Sequence, residues 1–161
     1  MTRILVVDDE PALCDLFRGW LHGNLGAEVE CSLTGTAAAQ MMIGGRYDLA
    51  LIDAGLPDTP GVALAGMAAT YDTPALLMSG RPEVIDRLDG FGFPTLKKPF
   101  PVTRLLGEAK GILRHAANNI RGVKSSAAEM HRRTRALKAA MAEAHRQVDG
   151  MAALRVDAGR K

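Results

Sequence analysis

The chain has 161 residues, of which 47% are apolar and 24% charged, a composition that predicts a folded domain with an appendage and excludes a disordered chain. The net charge is only +2, but residues 1–100 carry 7 Lys and Arg against 13 Asp and Glu, whereas residues 101–161 carry 13 against 5. The sequence therefore predicts an acidic body of net charge −6 followed by a basic extension of net charge +8.

The distribution of apolar residues and cysteines bears on where the protein works. No apolar stretch approaches the length of a membrane span, and the apolar run that opens the chain becomes acidic too soon for a signal peptide. The two cysteines, Cys14 and Cys31, do not have the spacing of a metal site or a disulfide framework. We therefore expect a reduced, cytoplasmic protein that does not associate with membranes.

Five short apolar segments, in which β-branched residues are common, predict strands buried on both faces. In chain order they read RILVV, AEVECSL, YDLALID, PALLMSG and FPTLKKP. The intervening segments predict helices, and they read PALCDLFRGWL, GTAAAQMMIGG, VALAGMAATY and PEVIDRLDG, with VTRLLGEAKGIL after the last strand. Strands that alternate five times with helices predict a doubly wound α/β sheet.

Polar side chains stand at or just beyond the ends of four of these strands: Asp8, Asp9, Asp53, Ser79 and Lys98. Because sites in doubly wound sheets form at the carboxyl ends of the strands, we expect these side chains to gather along one edge. Three carboxylates at one edge favour a hard cation such as Mg²⁺. With the cation in place, Asp53 can attack phosphorus as a nucleophile, while Lys98 and Ser79 contact phosphoryl oxygens. The set of residues therefore predicts in-line phosphoryl transfer.

At this point the chain resembles the receiver domain of bacterial two-component response regulators. The resemblance rests on VVDDE, LALIDAGLP, LLMSG and KKPF, which stand in the family's order and cover roughly residues 1–117. It implies a flavodoxin-like, five-stranded parallel sheet of order 2-1-3-4-5. It also implies that Asp53 is the phosphoacceptor, that Asp8, Asp9, Asp53 and the Gly55 carbonyl bind Mg²⁺, and that the Lys98–Pro99 bond is cis.

The resemblance has departures. The segments from Asp53 to Ser79 and from Ser79 to Lys98 are a few residues shorter than is usual in the family, which predicts that the third and fourth helices are trimmed or rearranged. Thr95 stands where the family often has an aromatic switch residue. The two positions that tune the lifetime of the phosphoryl group are occupied by Gly55 and Arg81.

Beyond the predicted receiver domain, residues 118–161 contain no proline and are rich in alanine, which predicts helix. The less polar residues recur at alternating spacings of 3 and 4, a heptad pattern over more than five repeats, in register with Leu106 and Ala109. They are Leu113, Ala116, Ile120, Val123, Ala127, Met130, Thr134, Leu137, Met141, Ala144, Val148 and Met151. We place self-association first. The alternatives are that the helix folds back on the acidic body, that it binds an acidic partner, or that the segment is a frayed, charged tail.

These inferences together predict a stand-alone response regulator. It accepts a phosphoryl group on Asp53 from a histidine kinase or phosphotransfer protein, is not an enzyme beyond autophosphatase activity, and signals through protein–protein contacts or self-association. One alternative is a DNA-binding transcriptional regulator acting through the basic helix. However, residues 118–161 show no helix-turn-helix pattern, and specific binding to nucleic acid is not favoured. The other is a Mg²⁺-dependent phosphatase-like hydrolase, which needs a second acid where Gly55 stands.

Overall fold

The computed structural model of the chain describes residues 1–88 and 91–119. Its strands are β1 (Arg3–Val7), β2 (Glu28–Ser32), β3 (Leu49–Asp53), β4 (Ala75–Ser79) and β5 (Thr95–Lys97). Its helices are α1 (Pro11–Leu25), α2 (Gly35–Gly44), α3 (Gly61–Thr70) and α4 (Pro82–Leu88), followed by α5 over residues 102–119.

All strands pair in parallel, in the order β2-β1-β3-β4-β5. This architecture confirms the predicted fold class and strand order. The third helix, α3, has 10 residues and the fourth, α4, has 7, and their shortening relative to the family stays a prediction. The sequence set the end of the fifth strand one residue too late, since β5 ends at Lys97 and Lys98 begins the following turn.

The core lies in two layers, one on each face of the sheet. Along β1, alternate side chains enter opposite layers: Ile4 and Val6 pack with α1 and α5, and Leu5 and Val7 pack with α2 and α3. All four are fully buried. Burial of each such side chain stabilises the fold by about 1.5–3 kcal/mol, so the double-sided packing explains why the strands read as continuous apolar runs.

The first helix begins and ends at residues suited to those positions. Pro11 occupies its first turn, where the missing N–H costs no hydrogen bond. Gly26 ends the helix in the left-handed conformation, with φ of 61°, and its N–H donates to the His22 carbonyl. Phe17 and Leu21 are buried on the face between these ends. Only residues 8–10 separate the end of β1 from the start of this helix.

The structure revises one part of the proposed heptad seam. Leu106 and Ala109 of α5 are buried in the same layer as α1, and Leu113 packs against that layer. These three positions face the core of the receiver domain because α5 covers one face of the sheet. The first part of the apolar stripe therefore belongs to the domain core and is not available to a second helix.

The chain divides into two units, Met1–Ala117 and Asn118–Lys161. Only residues 118 and 119 of the second unit are among those described. Ala116 of the heptad pattern lies in α5 and is half-buried, whereas the pattern from Ile120 to Met151, and with it the predicted self-association, lies outside the described residues. Among the described helices, none combines the length and the apolar character needed to cross a membrane.

Candidate phosphoacceptor site

The end of β1 places two carboxylates side by side. Asp8 follows the strand directly and is 1% exposed, whereas Asp9 is exposed. The Asp8 backbone N–H donates to the Ser32 carbonyl at 3.1 Å, which extends the pairing with β2 by one residue. The Glu10 backbone N–H donates to Asp8 Oδ1 at 3.1 Å. The Asp8 side chain is therefore fixed by the turn that leads into α1.

A third carboxylate joins them from the neighbouring strand. Asp53 is the last residue of β3, and β3 lies next to β1 in the sheet. One carboxylate oxygen from each of Asp8, Asp9 and Asp53 lies within 4.8 Å of the others. Glu10, the third acid of the DDE triplet, is exposed and is not part of this group. The structure therefore brings together the three acids that the sequence predicted to converge.

Lys98 supplies positive charge to this group. Its Nζ lies 2.8 Å from Asp8 Oδ2 and 3.5 Å from Asp53 Oδ1. The Lys98 backbone N–H donates to the Ser79 carbonyl at 2.8 Å, and the Lys98–Pro99 peptide bond is cis, as the resemblance implied. The ammonium group therefore bridges two of the acids, and it lies closer to Asp8 than to the predicted phosphoacceptor.

Ser79 ends β4 on the other side of β3 and is 2% exposed. Its Oγ accepts a hydrogen bond from the Arg81 backbone N–H at 3.1 Å and lies 3.5 Å from the Arg81 carbonyl oxygen. The hydroxyl group is therefore engaged in its own turn. Ser79 thus lies at the same edge of the sheet as the acids, as the sequence predicted. Its hydroxyl group can rotate to a new hydrogen-bond partner.

The two tuning positions lie against the phosphoacceptor. A Cβ atom placed on Gly55 would be 3.4 Å from Asp53 Oδ2 and 3.6 Å from Arg81 Nη2. The space above Gly55 is thus bounded by the Asp53 carboxylate on one side and by the Arg81 guanidinium on the other. In the structure the Arg81 guanidinium and the Asp53 carboxylate thus border the same space above Gly55.

Thr95, which stands at the predicted switch position, is the first residue of β5 and pairs with Leu77 of β4. It is half-buried. Thr95 thus lies in the edge strand that leads to Lys98, three residues before it, at the position where the family often has an aromatic residue. Its role as a switch stays a prediction.

The donor set at this edge fits Mg²⁺. Three carboxylates converge, and oxygen ligands are what hard cations prefer. Gly55 adds backbone close to the Asp53 carboxylate without a side chain that would fill the space. The arrangement can therefore hold a divalent ion beside the partly buried Asp53 carboxylate, and charge-neutralising phosphoryl transfer requires a cation at that place.

Sequence reasoning missed one polar residue near the site. Asp58 lies in the loop after Asp53, and its carboxylate accepts hydrogen bonds from the backbone of α2. These bonds, from Gly35 N–H first and Thr36 N–H second, lower the pKa of Asp58 to about 2. An acid followed by Thr and Pro predicts a turn, but nothing local indicates a partner 22 residues earlier in the chain.

Comparisons with known proteins bear on the whole of this domain. The family model described as the response regulator receiver domain matches residues 4–110. The transcriptional regulatory protein TrcR of Mycobacterium tuberculosis is 32% identical over 121 residues, which cover 72% of this chain and 47% of TrcR. The chain spans about half the length of the curated relatives it matches.

Two solved structures illustrate the similarity of fold. A CheY-like receiver domain protein from Methanospirillum hungatei superposes with a TM-score of 0.67 at 24% identity, over 74% of this chain and 98% of that one. The response regulator TrrA of Thermotoga maritima, solved in complex with Mg²⁺ and BeF, superposes with a TM-score of 0.64 at 28% identity, over 70% and 99%. Both cover nearly the whole of the other chain, so the likeness extends over an entire domain.

Proposed function

The chain belongs to the response regulator receiver domain family, and on that basis we propose that it accepts a phosphoryl group on Asp53 from a histidine kinase or phosphotransfer protein. The observation that carries this proposal is the placement of Lys98 Nζ at 2.8 Å from Asp8 and 3.5 Å from Asp53, within a cluster of three carboxylates. A lysine that bridges two acids at a sheet edge can shift its ammonium group from a carboxylate to a phosphoryl oxygen once Asp53 is phosphorylated.

The chemistry that the site supports is a direct displacement at phosphorus. A carboxylate oxygen of Asp53 forms a bond to the phosphorus of a phosphohistidine, the P–N bond breaks, and the imidazole nitrogen keeps the electron pair. Bound Mg²⁺ supplies positive charge that neutralises the phosphoryl oxygens. Lys98 stabilises a second phosphoryl oxygen as its ammonium group moves away from Asp8.

Three carboxylates and one backbone carbonyl form the proposed metal site. Asp8 and Asp9 would hold the ion from the end of β1, and Asp53 would hold it from β3. The Gly55 carbonyl is the further candidate ligand, because Gly55 lies close to the Asp53 carboxylate. When bound, Mg²⁺ would supply positive charge beside Asp53.

Output proceeds through the surface formed by α4, β5 and α5. Phosphorylation draws the Ser79 hydroxyl away from its turn and toward a phosphoryl oxygen, and Lys98 follows. Ser79 ends β4, Lys98 directly follows β5, and Thr95 is the first residue of β5. The consequence is a changed surface where α5 begins, which alters docking of another protein or self-association through residues 118–161.

A second candidate output is DNA binding. It is favoured by the relatives, since TrcR is named a transcriptional regulatory protein, and by the net charge of +8 over residues 101–161. A protected footprint on DNA that persists at moderate salt would identify this output, whereas non-specific binding to phosphates weakens steeply as salt rises.

The phosphoacceptor assignment is tested by treating the chain with a small acyl phosphate and Mg²⁺ and measuring its mass. The wild-type protein should gain one phosphoryl group, and Asp53→Ala should gain none. Asp15→Ala is the matched control, because Asp15 is an exposed aspartate on α1 paired only locally with Arg18. Retained labelling in Asp53→Ala would contradict the assignment. Sustained hydrolysis of a small phosphate ester, assayed separately, would favour the hydrolase.

Self-association is tested on the same samples by light scattering. We expect the molecular weight in solution to change on phosphorylation and the change to be lost in Leu137→Lys, which charges the heptad seam. Ala139→Lys adds the same charge two residues away, off the seam. Equal behaviour of the two variants would contradict a role for the seam.

A further inference from the structure

The loop over residues 54–60, which follows the phosphoacceptor, is held by the first turn of a helix from another part of the chain. Asp58 Oδ1 accepts from the Gly35 N–H at 3.0 Å. Asp58 Oδ2 accepts from the Thr36 N–H and from Thr36 Oγ1, each at 2.9 Å. A single carboxylate thus makes three hydrogen bonds that join the loop after β3 to the start of α2.

These bonds are additional to the normal cap of α2. Thr34 is the N-cap residue, and its Oγ1 accepts from the Ala37 N–H at 3.2 Å. The helix therefore already has the side-chain cap that stabilises an isolated N-terminus. Asp58 engages the two preceding N–H groups, those of Gly35 and Thr36, whereas the Thr34 side chain accepts from Ala37. Its distinctive contribution is a connection between two elements.

Tight backbone packing accompanies the hydrogen bonds. A Cβ atom on Gly35 would lie 2.5 Å from Thr59 Cβ, which is closer than such atoms can approach. At the other end of the loop, a Cβ atom on Gly61 would lie 2.7 Å from the Ala54 Cα and 3.1 Å from the Asp53 carbonyl oxygen. The loop is therefore in close contact both with α2 and with the backbone of the phosphoacceptor.

The start of α2 is connected in turn to the other acids. The Ser32 hydroxyl at the end of β2 donates to the Thr34 carbonyl at 2.8 Å. The Ser32 carbonyl accepts from the Asp8 N–H at 3.1 Å. A continuous path of hydrogen bonds thus leads from Asp8 at the end of β1 to Asp58 in the loop after β3. The Asp58 bonds are the last link of this path, which joins the Asp8 end of β1 to the loop after Asp53.

We propose that Asp58 is a positioning residue for the metal and phosphoacceptor site. By holding the 54–60 loop on the first turn of α2, it fixes Gly55 and the Asp53 backbone at a set distance from Asp8 and Asp9. The inference rests on the proposed function and adds a residue that does not itself contact the ion or the phosphoryl group. Supporting residues of this kind commonly change metal affinity by 10–100-fold, because they orient the ligands.

The test is a calorimetric titration of the full chain with Mg²⁺, made on Asp58→Ala and Asp58→Asn. Asp48→Ala is the matched control, since Asp48 Oδ2 accepts a backbone hydrogen bond from the Arg3 N–H at 2.8 Å. Asp48 and Arg3 lie at the amino ends of β3 and β1, at the opposite edge of the sheet from the site. The control therefore breaks a comparable tether between chain segments without touching the phosphoacceptor loop.

We expect the Mg²⁺ dissociation constant to rise about tenfold in Asp58→Ala and to stay at the wild-type value in Asp48→Ala. The dissociation constant of Asp58→Asn should lie between those of Asp58→Ala and the wild type. The amide oxygen of the asparagine can accept one N–H, but its NH₂ group faces the other N–H and cannot accept it. The thermal unfolding midpoint of each variant, measured in chelator, separates loss of fold from loss of positioning.

Equal Mg²⁺ affinities in wild type and in folded Asp58→Ala would overturn the inference, and so would an equal loss in Asp48→Ala. The proposed function fails differently, since it requires a phosphoryl group on Asp53. A wild-type chain that binds Mg²⁺ but is never phosphorylated would contradict the function while the affinities still decide the role of Asp58. A wild-type chain that binds no Mg²⁺ would overturn the inference together with the metal assignment.

Discussion

The Lys98 ammonium nitrogen lies 2.8 Å from Oδ2 of Asp8, whose side chain is only 2% exposed. The two residues are 90 positions apart in the chain, and each follows the end of a strand. A buried carboxylate that loses its counter-charge is costly, because the remaining charge is neither solvated nor paired. The pair therefore stabilises the domain while it also holds Lys98 ready beside Asp53.

Replacing Lys98 with Met should lower the free energy of unfolding by about 2 kcal/mol when Mg²⁺ is removed with a chelator. Saturating Mg²⁺ should restore part of this loss, because the ion supplies the missing positive charge at the same carboxylates. Urea denaturation with and without the metal measures both values. Lys97→Met is the control, since the neighbouring side chain is exposed. Equal stability of Lys98→Met and wild type in chelator would show that Lys98 does not compensate the cluster.

Asp9→Asn should have the opposite effect on the metal-free protein. Three carboxylate oxygens within 4.8 Å repel one another, and removing one charge should raise the free energy of unfolding by roughly 1 kcal/mol. The same change removes a proposed ligand, so Mg²⁺ should no longer stabilise the variant as it does the wild type. Thermal denaturation in chelator and in Mg²⁺ gives both results. A destabilised metal-free Asp9→Asn would argue that repulsion within the cluster is already compensated.

The guanidinium of Arg81 should prolong the life of the phosphorylated state. Arg81 Nη2 borders the space above Gly55, next to Asp53, and a side chain there keeps water from an in-line approach to phosphorus. We expect Arg81→Ala to lose its phosphoryl group roughly threefold to tenfold faster. Arg81→Met keeps much of the length without the charge, and therefore separates exclusion of water from electrostatics. Decay of the phosphorylated mass with time is the measurement, and unchanged decay in both variants would place Arg81 outside this step.

Asp58 gives the fold a defined acid sensitivity. Hydrogen bonds from Gly35 and Thr36 lower the pKa of Asp58 to about 2, below the ordinary value of 3.8. Because the folded-state pKa is the lower one, this carboxylate contributes stability above pH 4, and the contribution is lost as the pH falls toward 2. The stability difference between wild type and Asp58→Asn should therefore be constant from pH 7 to 4 and shrink below pH 4. Urea midpoints along that pH series provide the check, and a constant difference down to pH 2 would contradict the assignment.

Local sequence determined much of this protein. Continuous apolar runs such as ILVV identify strands buried on both faces, and the acids that end them identify the functional edge of a parallel sheet. This edge rule is general for parallel α/β folds, so Asp8, Asp53, Ser79 and Lys98 could be assigned to one edge without coordinates. The spacings between strand ends, compared with those usual in the family, also predicted that the third and fourth helices are trimmed or rearranged.

Tertiary structure decided which of these groups touch and which apolar stripe faces inward. The sequence assigned Lys98 to this edge, but only the structure shows that its ammonium group lies closer to Asp8 than to Asp53, because its position depends on how β5 sits against β4. Leu106 fits a heptad repeat as well as a core position, and only the packing of α5 on the sheet distinguishes the two. The Asp58 bonds to α2 join segments 22 residues apart, and such contacts arise from the packing of whole elements, which no local pattern of residues encodes.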